Sequence, residues 1–204
     1  NDPAPAPDPP LTADLSISMA RANLVGLPVF LVMMAVLILP FILLRGLPAF
    51  ISGVNRFVDL RVFLPLIAAG AVAHELFHGF GWAAAGRRSF RSVRFGFHWR
   101  TLTPYAHFTE PISARAYRIG IVLPGIVVGL VPAVAGYLVG SPAFILFGGI
   151  FFGAAAGDAL GLWAVRKIPA GAFVLDHPTR VGCTVVGPPG PHRGVDRSAG
   201  EPVP

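Results

Sequence analysis

Thiols are nearly missing from this chain: Cys183 is its one cysteine in 204 residues. That excludes a disulfide within the chain and a zinc site built from thiolates. Charge is scarce too. Asp, Glu, Lys and Arg together make up 13%, against about 25% in an ordinary soluble domain. Lysine is almost absent, since every basic residue except Lys167 is arginine. Most basic residues flank the apolar runs, as topology signals do, so the net charge of +6 does not point to nucleic acid. A chain so poor in charge, 54% hydrophobic and with a mean hydropathy of +0.67, reads as an integral membrane protein.

What is plentiful agrees. Glycine (24) and proline (21) are both abundant, and transmembrane helices tolerate them better than soluble helices do. The two ends, "NDPAPAPDPPLTADLS" and "GPPGPHRGVDRSAGEPVP", carry too few apolar side chains to offset the entropy of ordering. Disordered tails are therefore expected over residues 1–20 and 187–204, around one membrane-embedded domain at 21–186. A crossing takes roughly 20 mainly apolar residues, and four stretches qualify: about 24–44, 61–86, 117–139 and 141–166. The expected fold is all-α and integral to the membrane, with about four transmembrane helices. Pro124 and Pro132 predict a kink in the third, and "GSP" at 140–142 predicts a tight turn into the fourth.

Basic residues orient such a bundle. Thirteen of them (Arg21, seven arginines between Arg87 and Arg118, and five basic residues from Arg166 to Arg197) fall on one side, against Arg45, Arg56 and Arg61 on the other. Both termini and the loop between the second and third spans are expected in the cytoplasm. Within that loop "SVRFGFHWR" places Val93, Phe95, Phe97 and Trp99 alternately with polar or small residues, the period of a strand with one apolar face. "LTPYAHF" is the candidate partner, which makes a short cytoplasmic β-hairpin. Its arginines meet either anionic lipid or a substrate; the pattern alone leaves both open.

Inside the second apolar run stands "AVAHELFHGFGWAAAG", residues 71–86. A carboxylate at the centre of a membrane helix costs on the order of 2.5–3.5 kcal/mol, so it is not expected there without a partner. His74 and His78, four apart, lie on one helical face. Both imidazoles can then reach one metal ion at about 2.0–2.1 Å. Glu75, turned about 100° from His74, sits beside such an ion, where a general base takes a proton from activated water. An open catalytic zinc site needs a third protein ligand. Asp158 is the other carboxylate within a span, next to Gly149, Gly153, Gly157 and Gly161, which let another helix come close. His78 and Asp158 each precede the cytoplasmic end of their span by eight residues, roughly 12 Å in depth. Asp176, in "VLDHP", is the competing ligand or else a turn residue. His98, His107 and His177 read as loop residues, and Glu110 as a carboxylate at the start of the third span or one supporting the site.

A His-Glu-x-x-His pattern in a membrane helix, then a hairpin, then a late-span aspartate resembles the site-2 protease class of intramembrane zinc metalloproteases. More narrowly, "PYAHFTEPISARAYRIGIVLPGI", "GDAL" and "VLDHPTRVGC" resemble a family of small bacterial zincin peptidases related to it. The resemblance spans residues 60–186 and implies zinc held by His74, His78 and Asp158, with Glu75 catalytic. The site-2 class carries its aspartate in an Asn-Pro…Leu-Asp-Gly segment, where this chain has "AAAGDALG". The expected activity is a zinc endopeptidase of the bacterial plasma membrane, acting near the cytoplasmic face on a membrane protein or peptide substrate in extended form. The alternative is a non-catalytic metal-binding membrane protein: a transporter, a sensor or a scaffold with a relict site.

Overall fold

The computed structural model describes residues 11–99 and 103–187. It is mostly helical, and four helices are long and apolar enough to cross a membrane. The first, α1 (Met19–Arg45), starts where the Ser18 side chain caps the Arg21 amide and stops at Gly46, whose φ of 85° ends the helix. Much of its apolar surface is uncovered, as in Leu43 at 85% exposure. The second, α3 (Leu60–Gly86), is capped by Asp59 and stops at Arg87 in the left-handed region. Between them lies a short helix absent from the sequence expectation, α2 (Leu47–Phe57), with Gly53 packed closely against Pro142.

The third apolar helix runs from Ala114 to Val139, in three pieces. α4 (Ala114–Pro124) and α5 (Val131–Val139) flank a π-helical stretch, Gly125–Leu130. Pro124 and Pro132 supply the local cause: neither can donate the backbone hydrogen bond that α geometry requires. The fourth, entered after Gly140 (φ 67°), divides at Ala155 into α6 (Pro142–Ala154) and α7 (Ala156–Val165). Close approach of these last two helices rests on small residues, since a Cβ on Gly148 would meet the Gly129 carbonyl and Ala133.

Between α3 and α4 the expected hairpin is present as β2 (Val93–His98) and β3 (Thr103–Phe108), antiparallel with Phe95 opposite Ala106. Val93, on its apolar face, packs against Gly79 of α3.

The all-α expectation needs one correction. A second sheet, in the order β1–β6–β5–β4, joins Leu11–Asp14, Cys183–Val186, Phe173–Asp176 and Ile112–Ser113. Its strands have two to four residues, too few to display an alternation, and they pair across most of the chain. Residues 11–14, expected in a disordered tail, thus form an edge strand, and Met19 is already helical. The remainder of the two expected tails, residues 1–10 and 188–204, lies outside the described residues. This sheet and the hairpin gather the starts of α1 and α4 and the ends of α3 and α7 at one end of the bundle. Beneath them lies a core that includes Trp82, Phe108, Ile112, Tyr117, Val174 and Cys183.

Candidate metal centre

The buried face of α3 carries Gly70, His74, His78 and Gly81. Gly81 is what allows α4 to come near, because a Cβ there would sit 2.7 Å from the Gly120 Cα. At that distance the His78 Nδ1–H donates to the Gly120 carbonyl at 2.9 Å. This carbonyl is available for a local reason. In an α-helix it would accept from residue 124, and Pro124 has no N–H to give. With Nδ1 engaged, His78 presents Nε2 as its lone-pair atom. The ring is braced from behind by a stack: His78 on Trp82 at 5.2 Å, and Trp82 on Tyr117 at 5.8 Å, with the Trp82 indole N–H donating to the Tyr117 carbonyl.

Asp158 arrives from α7. The break at Ala155 restarts the helix so that Asp158 falls in its first turn, where the exposed amide dipoles favour a carboxylate. Its Oδ2 lies 3.1 Å from His74 Nε2, and its Oδ1 lies 3.2 Å from His78 Nε2. One ligand atom from each of the three residues falls within 4.8 Å of the others. His74 Nδ1 is buried with no hydrogen-bond partner among the described residues. Two histidines and one carboxylate converging in this way form an N/O donor set suited to zinc.

Glu75 belongs to the same cavity, which measures about 470 Å³ and is walled by α1, α3, α7, the strand β3 and the loop at 177–182. Its carboxylate faces the backbone amide of Ala106 in β3. Asp176, the competing ligand, is occupied elsewhere. It closes β5 rather than a turn, and its two oxygens accept from His107 Nδ1–H (2.9 Å), the Phe108 amide (3.3 Å) and the Tyr117 hydroxyl (2.9 Å). His107 is likewise a strand residue and not a loop one. His177 does lie in a loop, where its Nδ1 accepts from the amides of Thr179 and Arg180. The side chain of His98 lies outside what is described. Glu110 caps no helix: Ser113 caps α4, while Glu110 binds the Ser92 hydroxyl and lies 3.7 Å from Arg88, tying the base of the hairpin.

Sequence reasoning did not reach the supports of the site, namely the Gly120 carbonyl, the Trp82–Tyr117 stack and the His107–Asp176 pair. Pro124 was the one readable signal among them, since a proline frees the carbonyl four residues earlier.

Residues 67–173, more than half of the chain, match the model of a protein family described as "Putative zincin peptidase". The match includes His74, Glu75, His78, the hairpin and Asp158. No curated protein and no solved structure matches the chain.

Proposed function

The chain belongs to the family described as "Putative zincin peptidase", and on that footing we propose that it is a membrane-embedded zinc endopeptidase of the site-2 protease type. Its substrates are extended segments of membrane-associated proteins, cut near the cytoplasmic face of a bacterial plasma membrane. The observation that carries this reading is the convergence of His74, His78 and Asp158 in one cavity with a further carboxylate, Glu75, beside them. His74, His78 and Asp158 would hold zinc, which when bound supplies Lewis acidity to the scissile carbonyl and makes water acidic enough to lose a proton near neutrality. Glu75 receives that proton and returns it to the departing amide nitrogen. A helical substrate hides its peptide bonds, so the segment must be extended; laid along β3, it would run past Ala106 and the Glu75 carboxylate. The distribution of arginines supports a cytoplasmic location for both termini and the hairpin.

Glu75→Gln keeps the size and hydrogen bonding of the side chain but removes its basicity. Positioned acid–base groups contribute about 10²–10⁴-fold to rate. The variant should therefore hold about one zinc per chain, as wild type does, while His74→Ala and His78→Ala lose the metal and Asp158→Ala binds it weakly. Membrane proteomes of cells expressing wild type or Glu75→Gln should differ in cleavage products near cytoplasmic membrane boundaries. Identical peptide profiles from folded, zinc-loaded protein would sink the protease reading in favour of a metal binder.

A further inference from the structure

The cavity holds a second pair of titratable side chains that the proposed chemistry leaves unused. His107 and Asp176 both line it, alongside Glu75 and the three candidate ligands. An ionised carboxylate only accepts hydrogen bonds, so the hydrogen between the two belongs to His107 Nδ1. In its neutral form the ring carries its lone pair on Nε2, on the edge turned away from Asp176. No hydrogen bond engages that nitrogen among the described residues, and the His107 side chain is 17% exposed. Asp176 is held more firmly than a lone surface aspartate would be, since its three donors come from β3 and α4 while its own backbone sits in β5. A buried carboxylate is costly unless it is satisfied, and the three bonds together fix one orientation of the His107 ring. His107 also follows Ala106, the residue whose amide faces Glu75. The strand that passes the candidate base thus carries, at the next position, an imidazole that lines the same cavity and is held in one orientation.

We propose that His107, oriented by Asp176, is a substrate-binding residue whose Nε2 accepts a hydrogen bond from a backbone N–H of the bound peptide chain. An extended peptide that leaves water or lipid for this cavity brings N–H groups that need acceptors, and an acceptor independent of side-chain identity suits a site that holds main chain. The inference deepens the peptidase reading and rests on it. His107 touches substrate; Asp176 acts through His107 and is a positioning residue.

Binding can be measured apart from chemistry in the zinc-loaded, full-length Glu75→Gln protein in detergent, using the anisotropy of fluorescein-labelled casein as an unstructured peptide probe. Losing one net hydrogen bond should raise Kd about 3- to 10-fold in His107→Leu, with zinc content unchanged. Gln at 107 offers an acceptor again, so His107→Gln should recover most of the affinity. Asp176→Ala should match the loss in His107→Leu, and the double variant should add little to either, because the two residues act as one unit. If His107→Leu fails to fold, His107→Phe, closer in shape to imidazole, takes its place. Unchanged Kd in the Leu or Phe variant, additive losses in the double variant, or no casein binding by any variant overturns the inference. Failure of the underlying reading is a separate result: zinc-loaded wild type that binds casein but cleaves it no faster than Glu75→Gln is not a peptidase on this probe, while the Kd series still judges His107.

Discussion

At the scale of single residues, Gly120 acts on the candidate centre twice without a side chain. Its carbonyl orients His78, and its missing Cβ leaves the space that the Trp82 indole fills. Gly120→Ala would drive a methyl group into Trp82 and push α4 from α3. Overpacking of this kind costs about 1–3 kcal/mol. Losing the partner that orients a ligand histidine typically lowers metal affinity about 10- to 100-fold. Thermal unfolding and a competitive chelator titration should show both effects in Gly120→Ala. Wild-type zinc affinity in a folded variant would mean that His78 needs no orientation from this carbonyl.

At the scale of elements, the irregularities of the helices coincide with the site. The third apolar helix changes to π geometry immediately after Pro124, and the fourth restarts at Ala155 just before Asp158. The first break frees the carbonyl that His78 uses; the second puts a carboxylate into a first helical turn. Pro124→Ala separates these effects from stability. Alanine is a far better helix former than proline, so the variant should unfold no more easily than wild type. Its new amide, however, competes for the Gly120 carbonyl, and zinc affinity should fall by up to about tenfold. A chelator titration that leaves the affinity unchanged would show that the carbonyl serves both donors at once through its two lone pairs.

At the scale of the whole molecule, the hairpin and the four-stranded sheet cluster with the starts of α1 and α4, and the candidate centre lies beneath them. Arg21, Arg87, Arg88, Arg115, Arg118 and Arg166 stand at this end, while Arg45 and Arg61 stand at the other. The proposed orientation is tested by single cysteines at Ser89, beside the hairpin, and at Ser52, in α2, both exposed positions. Cys183 interferes little, because it is fully buried and burial pushes its thiol up to about 12, far from the reactive thiolate at neutral pH. In intact cells an impermeant thiol reagent should label Ser52→Cys and spare Ser89→Cys. Labelling at Ser89 would invert the orientation and put the centre near the outer face.

Four apolar runs and a pair of histidines four apart were legible in the sequence because both are local properties. Hydropathy sums over about 20 neighbours, and the helical repeat alone sets i and i+4 on one face. The alternation of Val93, Phe95 and Phe97 was long enough to announce a hairpin for the same reason. Which carboxylate meets the histidines was not local. Depth favoured Asp158, but the rotation that turns it toward His74 and His78 comes from the restart of the helix at Ala155, and Asp176 is withdrawn by donors from β3 and α4. The four-stranded sheet was invisible because strands of two to four residues carry no period of their own. Leu11–Asp14 becomes a strand only because Cys183–Val186 is there to pair with it. Backbone hydrogen bonds between distant segments exist only once the helices have brought those segments together, and that is a decision of the tertiary structure.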